Sequence, residues 1–290
     1  MTVVEPDLRP RGVGEVLDAA VAVLRARTRQ MLLLTAVVVV PVQAFALLVT
    51  LSTQPEDVER TFTGSQAPTY GTDDVWLGLA GALVVALAGF LSTAFATAAV
   101  THVVADEYLG SPPERTPTSQ YARAATRRLP AVVGLGIVTG VATTIGIVLC
   151  VAPGVWLQVS WCVAMPVLLL EATSIREAMK RSFALTRPRW WGSAGVFYLG
   201  AALTAVVTLA LSVPFGAVLG GVGDSVTATL VADSAANTLA SLLTTPFVAA
   251  ALVILYVDLR IRGEGFDVQL LVHRLGPGTD ASSAPGTPAP

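Results

Sequence analysis

Charge is scarce in this chain. Asp, Glu, Lys and Arg make up 13% of its 290 residues, about half the ~25% share of a soluble domain. Histidine is scarcer still, with only His102 and His273, far apart in sequence. That pair leaves no HExxH and no clustered metal-ligand set, and neither a P-loop nor a nucleophile elbow occurs. The two cysteines, Cys150 and Cys162, are too few for a disulfide framework. They fall at different depths on the two limbs of an expected hairpin, farther apart than the ~7 Å between Cα atoms that a disulfide allows. Both read as small apolar packing residues. No ionisable residue lies in the core of any long apolar run; His102 and Asp258 stand at edges. Proton- and ion-coupled transporters need such groups at depth, so this absence argues against that class. No catalytic, cofactor-binding or metal-ligating residue is assigned, and no cofactor is expected.

Apolar sequence is what the chain has in quantity. It is 53% hydrophobic with a mean hydropathy of +0.68. Apolar runs lie near 31–51, 75–102, 130–151, 155–170, 192–214 and 238–258. A membrane span needs about 20 such residues at a rise of ~1.5 Å each. The expected fold is therefore all-α: a polytopic membrane helix bundle of six transmembrane helices, with cytoplasmic amphipathic helices attached. Residues 1–275 form this membrane domain, and 276–290, rich in Gly, Pro, Ser and Ala, form a tail with the composition of disorder.

The connections sort by charge. Arg9, Arg11, Arg25, Arg27 and Arg29 precede the first run. Arg115, Arg123, Arg127 and Arg128 lie in the second connection, and Arg176, Lys180, Arg181, Arg187 and Arg189 in the fourth. Arg260, Arg262 and Arg274 follow the last run, and Arg60 alone occupies the other side. Basic residues stay on the cytoplasmic side during insertion. The expectation is a multi-pass protein of the bacterial cytoplasmic membrane with both termini inside. The net charge of −2 hides this separation. Glu56, Asp57, Glu59, Asp73, Asp74, Asp224 and Asp233 gather on the opposite side, which makes that face a poor match for nucleic acid or anionic lipid. Membrane lipids are the expected partners and nucleic acid is not; association with further copies of the chain stays open. Arg25–Arg29, the run from Met31 and Ala44-Phe45-Ala46 have the look of a signal peptide. The apolar run, however, continues to Leu51 behind a polar segment of unusual length, so cleavage is not expected.

A repeat is visible. Val13, Val16, Leu17, Ala20, Val21 and Leu24 follow the spacing of one helix face. Ile175, Ala178, Met179, Ser182 and Phe183 do the same. A displacement of 162 residues (177 minus 15) pairs Glu15 with Glu177, Leu17 with Met179, Val21 with Phe183, Arg25 with Arg187 and Arg27 with Arg189. A shorter copy holds Tyr121, Ala125 and Leu129, then Arg127 and Arg128. The chain reads as three units, each an amphipathic helix leading into a membrane hairpin. Such helices either lie in the interface, apolar face down, or pack on the inner ends of the spans.

Smaller signals complete the reading. Trp76, Trp190 and Trp191 fall at span ends, where indole rings favour the interface; Trp156 and Trp161 are deeper and expected to pack. Pro41, Pro166, Pro214 and Pro246 lie within spans and are expected to bend or break them. Gly136 with Gly140, and Gly216 with Gly220, have small-xxx-small spacing suited to close helix contact. Gln43 and Gln158, polar at depth, are expected to bond across helices. Asp224 suits the cap of a short helix from Ser225. Gly221-Val222-Gly223-Asp224 resembles the GxGD motif of intramembrane aspartyl proteases. Its only partner would be Asp258, roughly 30 Å away across a bilayer, whereas that chemistry needs two aspartates sharing a proton.

Three segments carry a wider resemblance. Leu8-Arg9-Pro10-Arg11 with Gly14-Glu15-Val16-Leu17-Asp18 comes first, then Ser174-Ile175-Arg176-Glu177-Ala178 continuing to Ser182-Phe183-Ala184-Leu185-Thr186-Arg187. Thr245-Pro246-Phe247, Tyr256-Val257-Asp258-Leu259-Arg260-Ile261-Arg262 and Glu264-Gly265-Phe266-Asp267 come last. In order and spacing these resemble the glycerophosphoryl diester phosphodiesterase membrane-domain family, and the single Lys with abundant Arg and Ala is similar to its actinobacterial members. Some members carry a soluble phosphodiesterase domain after the membrane part; this sequence ends without one, so the resemblance implies no catalysis. The expected role is a non-catalytic membrane scaffold or envelope-associated factor, and the alternative is a small-molecule or lipid transporter using the proline-bent spans.

Overall fold

Two short helices begin in the same way. At Gly12 and Ser174 the backbone is extended, with φ −74°, ψ 168° and φ −76°, ψ 160°. Three residues on, a glutamate reaches back to the start. The Gly12 N–H donates to Glu15 Oε2 at 2.7 Å, and the Ser174 N–H to Glu177 Oε2 at 3.1 Å. Ser174 Oγ also accepts the Glu177 N–H at 3.4 Å, completing a capping box that glycine can only half supply. From these starts run α1 (Val13–Ala26) and, numbered in chain order below, the seventh helix α7 (Ile175–Thr186).

The structure is a computed structural model that describes residues 11–52, 72–109, 117–220 and 226–264. After α1 come α2 (Thr28–Ser52), α3 (Thr72–Leu109), α4 (Thr118–Leu149), α5 (Val151–Ser160), α6 (Ala164–Leu170), α7, a 3-10 turn at Arg187–Arg189, α8 (Trp190–Gly220) and α9 (Val226–Glu264). Among the described residues six helical stretches are long and apolar enough to cross a membrane, with α5 and α6 sharing one of them. Large apolar side chains such as Val37, Leu48, Leu83, Val148 and Val206 face outward, the arrangement lipid requires. The molecule is an all-α membrane helix bundle.

Three antiparallel pairs build it: α2 with α3, α4 with α5, and α8 with α9. These are the three hairpins of the repeat. The pairs are not equivalent in depth. Half or more of the apolar window is buried in the fourth and sixth stretches (56% and 50%), against 11–22% in the others. Those two therefore form the centre and the rest form the rim. The core gathers Val253, Ile254, Tyr256 and Val257 of α9 with Val100, Val103 and Val104 of α3, Val163, Val167 and Leu168 of span four, and Val16, Ala20 and Val23 of α1.

The amphipathic helices pack against the spans. α1 lies on α8 and α9, and Val16, Ala20 and Val23 are its fully buried positions. The buried stripe is thus turned from the expected one: Val23 belongs to it, while Leu17, Val21 and Leu24 are only half-buried at its edge. In α7 the buried positions are Ala178, Ser182, Leu185 and Thr186. The displacement of 162 (178 minus 16) carries Val16, Ala20 and Val23 onto Ala178, Ser182 and Leu185. The repeat therefore extends to which positions face the core.

The middle unit departs from this plan. Its amphipathic segment is no separate helix; α4 runs from Thr118 to Leu149 with Pro130 inside it. Pro130 removes one N–H and leaves the Thr126 carbonyl without its helical partner. Thr126 is exposed at the bundle's basic end, where water can solvate that carbonyl, so the helix continues. Helices also run through Pro41, Pro214 and Pro246 without ending. Span four does break, at Trp161–Val163, one turn before Pro166, which sits in the first turn of α6 where proline is tolerated.

The helices outrun the expected spans, reaching Leu109, Gly220 and Glu264 and starting at Thr72, Thr118 and Val226. Polarity ends a span but does not end a helix. The connections holding Glu56, Asp57, Glu59, Arg60, Arg115 and Asp224, the Gly221–Asp224 motif, His273 and the tail lie outside the described residues, as do the side-chain surroundings of Asp73, Asp74, Gly216 and Gly220.

Candidate functional site

The break in span four exposes a carbonyl. Ala164 donates its N–H to Trp161 O at 3.0 Å, so the Ser160 carbonyl loses its helical donor. Ser160 is buried, and an orphaned buried carbonyl costs about 1–3 kcal/mol. Two hydroxyls from α7 take the missing place: Ser182 Oγ donates to Ser160 O at 2.9 Å and Thr186 Oγ1 at 3.2 Å. Irregular backbone at membrane depth is tolerated where protein covers it, and α7 is the cover.

At the basic end a closed ring of polar side chains joins span four, α7 and α9. Tyr256 donates its hydroxyl to Glu171 Oε1 at 2.8 Å, and Arg181 Nε donates to Glu171 Oε2 at 3.2 Å. Arg181 Nη2 pairs with Glu264. Arg260 Nε donates to Glu264 Oε2 at 3.1 Å, and Arg260 Nη1 closes the ring on the Tyr256 hydroxyl at 3.1 Å. Ala172, next to Glu171, has φ 54°. That left-handed turn costs a non-glycine residue about 1 kcal/mol or more, and it reverses the chain between α6 and α7. The side chains in the ring's ion pairs are 20–36% exposed, so each pair adds little stability. What the ring does is hold three elements in one register.

Two further ties lie at the same end. Asp258 accepts the Arg11 N–H at 2.7 Å and Arg262 Nε at 3.0 Å, while Arg262 Nη2 donates to Arg11 O at 2.8 Å. The two ends of the described chain therefore meet. Arg27, just after α1, donates to Glu107 at 2.6 Å, and Tyr121 to Asp106 at 2.7 Å. Asp258 is thus a partner of the N-terminal segment. Sorting cations alone misses these groups. The signal lies in the acids: Glu107, Glu171 and Glu264 each stand at the basic end of an even-numbered span, beside arginines of the amphipathic helices.

Among the cavities that the described residues form, two adjoin the spans and bear on function. One, of about 250 Å³, lies between α2 and α9 and is lined by Gln43, Thr50, Ser234, Asn237 and Ser241. Gln43 faces this cavity and was expected to bond across helices; Gln158 does so, accepting Tyr198 Oη at 3.4 Å. The other, of about 640 Å³, is an apolar groove between α4, α5 and α7. Trp156 lines it and is 45% exposed, so it is not the packed core residue expected; its ring stands edge-on to Phe183 at 5.4 Å. Trp76 and Trp191 are exposed at helix ends. Cys150 is exposed and Cys162 buried, both as free thiols.

Glycines seat the hairpins unevenly. A Cβ on Gly154 would meet the Ile147 nitrogen at 2.5 Å, and one on Gly136 the Phe90 ring at 2.8 Å, whereas Gly140 faces open space. Only half of the Gly136/Gly140 pair makes the expected close contact. Among the described residues no group of three His, Cys, Asp or Glu side chains is placed to hold a metal ion. No family model, curated protein or solved structure matches this chain.

Proposed function

We propose that this chain is a non-catalytic scaffold of the bacterial cytoplasmic membrane, with its basic face and both termini on the cytoplasmic side. The supporting observation is the ring from Glu171 to Tyr256, which ties the central spans and α7 together at the basic end. Above it the middle of α9 is packed with apolar side chains from Ala249 to Val257. A bundle locked at one end and packed through its centre is suited to presenting a fixed surface. Membership of the glycerophosphoryl diester phosphodiesterase membrane-domain family is part of this reading, because the capping glutamates Glu15 and Glu177 both fall within segments that carry that resemblance. Hydrolysis of a phosphodiester needs placed acid–base groups and usually metal-binding carboxylates. Glu107, Glu171, Asp258 and Glu264 are each engaged by arginine. Purified protein should release no glycerol 3-phosphate from a glycerophosphodiester; hydrolysis lost on His102→Ala would overturn this.

The alternative, a small-molecule or lipid transporter, draws on the polar cavity at Gln43 and the broken fourth span. Alternating access requires a site to open to each side in turn. In a background lacking Cys150 and Cys162, Gln43→Cys and Ser241→Cys should react with an impermeant thiol reagent from one side only. The comparison is between right-side-out and inverted vesicles. Reaction from both sides would replace the scaffold reading with transport.

A further inference from the structure

The apolar groove carries two cations that form no ion pair or hydrogen bond with another described residue. Its walls are apolar and aromatic, including Val138 of α4, Trp156 of α5, and Met179 and Phe183 of α7, and its volume falls within the roughly 300–1,000 Å³ of ligand sites. Val138 and Trp156 are 45% exposed on the perimeter of the bundle, so the groove opens toward lipid. Two cations, Arg176 and Lys180, also line it. They stand four positions apart on α7, hence on one helix face, where like charges repel by about 0.2–0.5 kcal/mol. Neither forms an ion pair or hydrogen bond with another described residue. Glu177, which lies within electrostatic reach of Lys180, is already engaged by the Ser174 hydroxyl at 2.8 Å and N–H at 3.1 Å. The adjacent Arg181, by contrast, is fully used by Glu171 and Glu264.

The repeat sharpens the point. In α1 the positions matching Arg176 and Lys180 are Gly14 and Asp18, so this basic pair has no counterpart there. The apolar positions are shared: Val13, Leu17 and Val21 match Ile175, Met179 and Phe183. In α1 that stripe is half-buried against α8, with Val13 against Gly195 and Leu17 approaching Gly200. In α7 the same stripe lines an open groove, and this copy alone bears the two cations. Scaffolding features recur in both copies, whereas the groove and its charges belong to one.

We propose that the groove binds one anionic phospholipid, with an acyl chain along Trp156, Met179 and Phe183 and its phosphate bridged by Arg176 and Lys180. A bidentate guanidinium and a neighbouring ammonium suit a phosphate, and the anion removes the repulsion between them. Aromatic and apolar walls accept a chain that a soluble anion would not fill.

The test uses the whole protein in detergent, with native mass spectrometry of retained lipid. Phosphatidylglycerol should be retained over phosphatidylcholine by about tenfold, given the effect of cations near anionic headgroups. Arg176→Gln with Lys180→Gln should bring the ratio close to one. Arg187→Gln with Arg189→Gln, outside the groove, should leave it unchanged. Val138→Trp should lower retention of both lipids by filling the chain path. Millimolar inorganic phosphate should not displace the bound lipid. In the unsubstituted protein, phosphatidylglycerol with a photoreactive acyl chain should crosslink to the segments holding Val138, Trp156 and Met179. An unchanged ratio in the Arg176/Lys180 variant, an equal loss in the Arg187/Arg189 variant, displacement by phosphate, or crosslinks confined elsewhere would each overturn the proposal. The one-sided thiol labelling of Gln43→Cys and Ser241→Cys is independent of all these outcomes, so the scaffold reading stands or falls separately.

Discussion

Ser182 and Thr186 look ordinary in the sequence, small polar residues on an amphipathic helix, yet they replace a lost helix bond. Each alone can still serve the Ser160 carbonyl, so Ser182→Ala should cost little. Ser182→Ala combined with Thr186→Val strips both donors and should destabilise the protein by about 1–3 kcal/mol, the cost of an unsatisfied buried carbonyl. Thermal unfolding in detergent of the two single variants and the double checks this. Additive, equally small losses would mean that water reaches the carbonyl. Gly154 makes a different demand. Its would-be Cβ meets the main chain of Ile147, which cannot move aside as a side chain would. Gly154→Val should therefore weaken the α4–α5 hairpin by about 1–3 kcal/mol, while Gly140→Ala, facing open space, should be nearly neutral. A Gly154→Val protein as stable as the Gly140→Ala one would show that the hairpin opens freely.

The amphipathic helices were legible as helices because apolar spacing shows directly in sequence. Their rotation about the axis was not. A stripe read from sequence includes every apolar position on that side of the helix, but neighbouring helices choose which of them become buried. In α1 the chosen residues are Val16, Ala20 and Val23. Val16→Asp with Val23→Asp should detach α1 and expose the chain before Arg27 to protease, while the six spans still insert. Full burial of such a side chain is worth roughly 1.5–3 kcal/mol. Leu17→Asp with Val21→Asp, at the half-buried edge, should have a weaker effect, and Asp18→Asn almost none. The order of the three digestion rates is the measurement; equal rates would mean that α1 is not docked. The middle unit shows the opposite limit of sequence reading. Pro130 marks a helix boundary by rule, but an exposed Thr126 lets the helix continue.

Topology belongs to the whole chain. Since every Lys and Arg but Arg60 falls in the sequence segments assigned to one side of the apolar runs, charge sorting should override any weak span. In a background lacking Cys150 and Cys162, Ser65→Cys and Ser225→Cys should react with an impermeant thiol reagent on intact cells, and Ser119→Cys and Ser283→Cys should not. Reaction at Ser119→Cys in intact cells would invert the orientation. The same sorting places acids and arginines at one end of the bundle, where they meet as Glu171 with Arg181, Glu264 with Arg260, Asp258 with Arg262 and Glu107 with Arg27.

The six membrane-spanning helices, their pairing into hairpins and the twofold recurrence of the amphipathic helix were determined by the sequence alone, because each follows from local composition and spacing. Tertiary structure decided which spans are central, where the fourth one breaks, and which carbonyl Ser182 and Thr186 serve. It also decided, among the described residues, which cations enter ion pairs and which line the groove. Those outcomes rest on contacts between residues far apart in the chain, such as Tyr256 with Glu171 and Arg11 with Asp258. Arg176, Lys180 and Arg181 are neighbours of nearly identical chemistry in the sequence. The helical rotation of α7 turns Arg181 toward Glu171 and Glu264 and places Arg176 and Lys180 along the open groove.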